Sequence, residues 1–301
     1  MILVTGGLGF IGSHTGAALR DLGADVLLGQ RRAGPPDPPA PVARVDCTDF
    51  DSLRAVGEHH RITGVVHLAA AGLGAGSALD KLWADTLALF TVLRAAREWK
   101  VERILLASTI GVYAGVLGGA FREDLPLPVA SPHAIPAAKK MAEVIADVVA
   151  AQDGLPLVGA RIGAIWGPLG RSPSPFFAAP QLVHSAVRSG PAPVGLRADD
   201  AVDMLYAKDA GRALALLATG AGLRHRTYNV GSGRLTTNRE VAAAIARVVP
   251  GAAPRLTEGQ PTAPTAALDV ERLRADTGFT PAYPLDAGVA DYAAWLRTHE
   301  R

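Results

Sequence analysis

Thr5-Gly6-Gly7-Leu8-Gly9-Phe10-Ile11-Gly12 lies between a short apolar run, residues 2–5, and a stretch of helical spacing, residues 10–23. The run has no polar alternation, which suits a strand buried on both faces. Gly6 permits a tight turn, Gly9 lets the backbone come close to a pyrophosphate, and Gly12 lets the helix pack near the sheet. The first turn of that helix then offers unpaired N–H groups to an anion. A glycine pattern on its own says little. Set between a strand and a helix, it predicts a dinucleotide site built on Gly6, Gly9, Phe10, Ile11 and Gly12.

Working outward, residues 26–28, 65–68 and 104–107 are further buried-strand candidates, and residues 52–59 and 80–99 have helical spacing between them. Strand alternating with helix argues for an α/β fold with a doubly wound parallel sheet. Residues 33–41 are proline-rich and read as loop. Past Arg161 the pattern loosens. Residues 168–180 read as a long connection, 238–249 and 287–297 as helices. Pro191, Pro193, Pro250, Pro254, Pro261 and Pro264 cut the last third into short elements. The expected division is a dinucleotide-binding domain over 1–165 with part of 200–235, and a small α/β substrate lobe over 166–200 and 236–301.

The bulk composition narrows the function. The chain has 301 residues, 49% hydrophobic, with 30 Lys+Arg against 28 Asp+Glu. That suffices for one large core, and no basic stripe points to nucleic acid. Cys47 is the sole cysteine, which excludes an intrachain disulfide and a cysteine metal cluster; no metal is expected. The N-terminus has no basic segment and no long apolar stretch, so neither a signal peptide nor a membrane span is expected. The expected location is cytoplasmic, in a reducing compartment.

The Gly-x-x-Gly-x-x-Gly spacing resembles the extended short-chain dehydrogenase/reductase family, which includes nucleotide-sugar epimerases and dehydratases. The resemblance runs along nearly the whole chain. His67-Leu68-Ala69-Ala70 is similar to that family's fourth-strand motif, and Asp46-Cys47-Thr48-Asp49 to its adenine-contacting turn. Arg161-Ile162-Gly163-Ala164-Ile165-Trp166-Gly167-Pro168 resembles the segment entering its substrate lobe. Residues 203–209, 228–233 and 268–284 resemble three later blocks. The resemblance implies a Rossmann domain with a C-terminal lobe. It also implies cofactor contacts at Asp46, Cys47, Leu68, Ala69, Ala70, Lys139, Arg161 and Ile162.

In Rossmann sites a carboxylate at the end of the second strand accepts from the ribose of NAD, whereas an arginine accommodates the 2′-phosphate of NADP. Here the position falls on Gln30, followed by Arg31 and Arg32. Two guanidiniums favour the phosphate of NADP. NAD, with its ribose held through Gln30, is the alternative.

In the family a tyrosine four residues before a lysine carries the proton, with a Ser or Thr on a strand end bonding the reacting oxygen. Ser108-Thr109-Ile110-Gly111-Val112-Tyr113 resembles the hydroxyl-bearing block and puts Thr109 in that role. Lys139-Lys140-Met141-Ala142-Glu143 resembles the lysine block. Four residues before Lys139 stands Ile135, and four before Lys140 stands Pro136. The tyrosine is absent in either register, and isoleucine moves no proton. His133 or Tyr113 could replace it, the substrate or water could supply the proton, or the reaction could be a different one. Asp85 stands in place of a bracing asparagine, and Val202 in place of an arginine that meets a nucleotide-sugar phosphate.

Two readings follow. One is an NAD(P)-dependent epimerase, dehydratase or reductase with an altered acid–base set, acting on a small molecule: a sugar nucleotide or a secondary-metabolite carbinol or ketone. The other is a non-redox catalyst or a dinucleotide-sensing protein on the same fold. The resemblance also implies a homodimer through helices near 80–99 and 137–152, where Ala137, Ala138, Ala142 and Ala146 permit close packing.

Overall fold

The computed structural model describes residues 1–32, 38, 40–72, 76–188, 194–262 and 265–299. Most of the loop expected over 33–41 lies outside these residues, as do Pro191, Pro193 and Pro264. The chain runs β1 (Ile2–Thr5), α1 (Phe10–Asp21), β2 (Val26–Gln30), β3 (Val42–Arg44), α2 (Phe50–His59), β4 (Gly64–His67), α3 (Ala78–Trp99) and β5 (Arg103–Thr109). A 3-10 turn over Ile110–Tyr113 leads to α4 (Ala134–Gln152), β6 (Leu157–Ile162), β7 (Ala164–Trp166) and α5 (Ala179–Arg188). Then come β8 (Ala201–Val202), β9 (Met204–Tyr206), α6 (Ala207–Thr219), β10 (Thr227–Val230), β11 (Thr236–Thr237), α7 (Asn238–Val248), α8 (Glu271–Thr277) and α9 (Leu285–Thr298).

Seven strands form one sheet in the order β10-β6-β5-β4-β1-β2-β3. Every neighbouring pair is parallel. The doubly wound parallel sheet read from the sequence is therefore the observed fold. β1 sits between β2 and β4, with Thr5 opposite Gly29 on β2 and His67 on β4. Winding reverses there, so a crevice opens at the carboxyl ends of β1 and β4, where such sheets hold ligands.

Alternate residues of one strand feed opposite faces of the sheet. Val4, Leu28, Val66 and Leu105 pack with Leu19 of α1 and Ala210, Leu214 and Leu217 of α6. Leu3, Leu27, Val65 and Ile104 pack with Leu53 of α2 and Leu89, Val92 and Ala96 of α3. Each fully buried leucine of this kind contributes about 2 kcal/mol of transfer free energy. A third cluster joins Trp166, Leu182, Tyr206, Ile245, Val289 and Tyr292. It ties α5, α7 and α9 together beyond the sheet.

The starts of α2, α3, α4 and α9 each lie two or three residues before the expected ones, and those of α3 and α4 have clear local reasons. α3 begins at Ala78 because Ser77 and Asp80 form a reciprocal capping box. α4 begins at Ala134 because Pro136 lies in its first turn, where a missing N–H costs nothing.

Candidate active site

The glycine turn adopts the shape its residues dictate. Gly6 has φ +67°, a left-handed conformation that costs other residues free energy. A Cβ on Gly12 would lie 2.2 Å from the Gly6 carbonyl oxygen, so α1 could not start this close to β1 with any side chain there. Gly9 caps α1 with extended backbone and donates its N–H to Gly6 O at 2.9 Å. Gly7 matters as much, although the sequence pattern passes over it. A Cβ there would meet the Leu28 Cβ and the Val4 carbonyl, both at 2.8 Å.

This bare turn faces the sheet's carboxyl edge. Thr5, at the end of β1, accepts the N–H groups of Leu68 at 3.2 Å and Ala69 at 3.3 Å on its hydroxyl oxygen. The same hydroxyl meets His67 Nδ1 at 2.8 Å. Leu68 and Ala69 are thus held against the turn, with Ala70 following. At the end of β2, the Gln30 Oε1 is buried and has no hydrogen-bond partner among the described residues. Arg31 and Arg32 beside it are exposed. Asp46 folds back on Thr48, accepting its N–H at 2.9 Å and its hydroxyl at 2.7 Å, and these bonds lower its pKa. Cys47 is buried, which pushes its thiol up to about 11. A dinucleotide fits this edge on two observations: a cradle that any Cβ would fill, and an orphaned carboxamide oxygen that a ribose hydroxyl can satisfy.

Next to the turn opens a cavity of about 750 Å³. Phe10 and Ile11 line its inner end; Thr109, Tyr113, His133 and Ile135 line another wall. Thr109 ends β5, and its hydroxyl oxygen accepts the Gly111 N–H at 3.2 Å. Its proton stays free to donate to a bound oxygen. His133 is exposed at the N-cap of α4, with its ring 6.2 Å from that of Phe176. Ile135 lies two residues on, with its apolar side chain on the cavity wall. Tyr113, Thr109, His133 and Ile135 therefore share one cavity.

Lys139 lies elsewhere. It lines a small neighbouring cavity with His67, Ala69, Asp85 and Ala107. Burial lowers its pKa and the Asp85 carboxylate opposes that shift. Asp85 Oδ1 accepts the Ala71 N–H at 2.7 Å. His67 is pulled down to about 3, by burial first and by Lys139 second, so its ring is neutral at ordinary pH.

Arg161 and Tyr113 serve the interior. The Arg161 guanidinium bonds Glu143 Oε2 at 2.7 Å, the Tyr113 hydroxyl at 2.8 Å and the Glu123 carbonyl at 3.2 Å. Tyr113 donates to Asn229 Oδ1 at 2.8 Å, and burial raises its pKa. Glu143 also accepts from the Ser108 hydroxyl. With its hydroxyl bonded on both sides, Tyr113 has no proton to spare for the cavity, and the guanidinium of Arg161 is taken up by Glu143 of α4, by Tyr113 and by the Glu123 carbonyl. Ile162 follows on β6, buried in the core. No local signal announces this network, because its members lie 18 to 116 residues apart.

The family model described as NAD dependent epimerase/dehydratase family matches residues 2–231. The chain belongs to that family. A UDP-glucose 4-epimerase of Azospirillum brasilense is 29% identical over all of this chain and 93% of its own length. The solved UDP-glucose 4-epimerase of Thermus thermophilus, in complex with NAD, superposes with a TM-score of 0.80 at 26% identity, covering 98% of each chain. A partial consensus L-threonine 3-dehydrogenase superposes with a TM-score of 0.82 at 27% identity, covering 99% of each. The extended short-chain dehydrogenase/reductase resemblance is thus shown, and with it an enzyme family that uses nicotinamide dinucleotides. Among the described residues no helix is long and apolar enough to cross a membrane, and no cluster of His, Cys, Asp or Glu is arranged to hold a metal.

Proposed function

We propose that this member of the epimerase/dehydratase family binds NADP, or NAD, along the Gly6–Gly12 turn and transfers hydride to or from a carbon held at Thr109. The substrate is a sugar nucleotide or a secondary-metabolite carbinol or ketone. The observation that carries the reading is the shared cavity: Phe10 and Ile11 of the dinucleotide turn line the same space as Thr109. When bound, the cofactor supplies the hydride chemistry. The Gln30, Arg31 and Arg32 edge would hold its adenosine end, with Asp46, Cys47, Leu68, Ala69 and Ala70 as neighbours. Lys139, with Asp85 as counter-charge, would hold its nicotinamide ribose from the neighbouring small cavity.

The chain's own part is orientation and proton movement. Thr109 donates to the reacting oxygen and fixes the carbon in place. Ile135 supplies no proton. Among the described residues lining the cavity, the titratable ones are Tyr113, His133 and Arg171. Tyr113 is committed to Arg161 and Asn229, and an arginine does not release its proton. Proton transfer therefore runs through His133, through water or through the substrate. A non-redox reaction on the same site is the second reading, favoured by Ile135 alone.

The test is Ile135→Tyr. A tyrosine there stands one helical turn before Lys139, at the i,i+4 spacing that puts both on one face. A positioned acid contributes about 10²–10⁴-fold in rate, so reductase activity on a ketone panel should rise by at least tenfold. If the variant binds cofactor yet shows no nicotinamide absorbance change with any carbonyl or carbinol, the hydride reading fails.

The lobe division drawn from the sequence, and a homodimer through α3 and α4, stay part of the proposal. The third apolar cluster, joining α5, α7 and α9, supports the first. Exposed Leu79, Trp83 and Phe90 on α3, with Met141, Val144 and Val148 on α4, support the second. Sedimentation of Val144→Glu as a monomer beside a wild-type dimer is the expected result; a wild-type monomer sinks the dimer.

A further inference from the structure

The cavity beside the turn has a largely apolar wall. Ile110, Phe121, Ile135, Ile165, Phe176 and Val202 line it. Among the described lining residues the one permanent cation is Arg171, and it is exposed. A nucleoside diphosphate carries about two negative charges, and an unpaired buried charge costs several kcal/mol. Such a group needs arginines, lysines or free N–H groups at a helix start.

Among the described lining residues the wall offers one such side chain, the exposed Arg171, and no lysine. The start of α5 reaches the cavity through Pro180, which has no N–H to offer. Arg197, just before β8, does not line the cavity, and three other arginines of the neighbouring elements are engaged elsewhere. Arg188 bonds the carbonyls of Leu296 and His299. Arg234 pairs with Glu240 at 2.9 Å, and Arg239 with Glu258 at 2.7 Å and Asp199 at 3.1 Å. The stretches of sequence outside the described residues before position 300 contain no lysine or arginine. Position 202, on a two-residue strand at the cavity, holds valine.

We infer that this cavity takes a mainly apolar carbonyl or carbinol compound and excludes nucleoside diphosphate sugars. The inference rests on the reading that a nicotinamide dinucleotide binds the glycine turn, and it chooses between the two substrate classes left open above. A cavity of about 750 Å³ has room for a ring system of two or three fused rings beyond the space next to Phe10 and Ile11. Burial of apolar surface supplies the affinity, and Thr109 supplies a directed hydrogen bond to the carbonyl or hydroxyl oxygen.

The test is calorimetric titration of the full-length protein loaded with NAD or NADP. Loading is checked first, by energy transfer from tryptophan to the reduced cofactor. Two probes are then compared: 2-tetralone and UDP-glucose. The expected result is that 2-tetralone binds at least tenfold more tightly. Phe176→Asp, a change at an exposed side chain, should weaken 2-tetralone at least tenfold and leave cofactor loading unchanged. Equal or tighter binding of UDP-glucose overturns the inference, as does a Phe176→Asp variant that binds 2-tetralone unaltered. No binding of 2-tetralone or its alkyl-substituted relatives to the loaded protein also overturns it. A chain that loads neither cofactor overturns the parent reading instead, and this one with it. A loaded chain that prefers UDP-glucose leaves the parent reading standing.

Discussion

Arg161 Nη2 lies 2.7 Å from Glu143 Oε2, with side-chain exposures of only 7% and 17%. The pair holds α4, which carries Ile135 and Lys139, against β6. Removing one partner of a buried pair leaves an uncompensated charge and costs about 3–5 kcal/mol. Glu143→Gln should therefore lower the urea midpoint sharply with an unchanged m-value. A loss below about 1 kcal/mol would show that the pair is dispensable.

Gly12 and Gly23 separate packing from backbone strain. Gly12→Ala places a methyl group against the Gly6 carbonyl, a backbone atom that cannot swing away. The helix start must shift, and NAD or NADP affinity should fall at least tenfold. Gly23 has φ +79°, and a Cβ placed there would have nothing within 4 Å. Gly23→Ala should cost about 1–2 kcal/mol of stability and leave cofactor affinity alone. Equal binding losses in the two would refute the argument from the turn.

His67 gives the fold an acid-sensitive point. Its folded-state pKa is about 3, against an ordinary value of 6.5. Below 6.5 the unfolded chain takes up a proton that the folded chain refuses. Stability is thus fully present above 6.5 and is lost as pH falls from there toward 3, by at most about 1.4 kcal/mol per pH unit. His14, also lowered by burial, acts in the same direction. Unfolding free energies measured from pH 6.5 to 5, above most carboxylate titrations, should fall in the wild type and fall less in His67→Asn. Parallel slopes would assign the acid sensitivity to other groups.

Arg31 and Arg32 are exposed at the end of β2, with Gln30 beside them. Replacing both by Ala should weaken NADP at least tenfold while changing NAD less than threefold, because a 2′-phosphate loses its charge-assisted bonds. Gln30→Leu should weaken NAD instead. If the double variant binds both cofactors equally well or equally poorly compared with wild type, the preference for NADP is wrong.

Much of the fold is legible in the residues. The apolar runs near positions 2, 26, 65 and 104 are strands because each is short, unalternating and bounded by turn residues. α6 is not legible as a helix: Ala207–Thr219 is buried on most sides, so it lacks a polar face to mark its period. Its fit depends on Gly211, where a Cβ would touch the His14 carbonyl at 2.5 Å. Such a contact joins residues nearly two hundred positions apart and leaves no local pattern. The site shows the same split. Thr109 and Ile135 are readable through the resemblance of the blocks around them to the family's, and His133 through its place beside Ile135, whereas the commitment of Tyr113 to Arg161 and Asn229 is not. Gly7 likewise escapes, because its need for a bare backbone is set by Leu28 on the next strand.

The Asp203 carboxylate is fully buried and accepts four bonds: from Ser232 N at 2.7 Å, Ser232 Oγ at 2.8 Å, Gly233 N at 3.1 Å and Leu268 N at 2.9 Å. Three of the four donors are backbone groups, and all lie past residue 231, where the family match ends. A chain severed there would leave the Asp203 carboxylate without a single one of these donors. The stretch beyond residue 231 is therefore no appendage: it closes the electrostatics of a core whose acidic member was laid down 29 to 65 residues earlier.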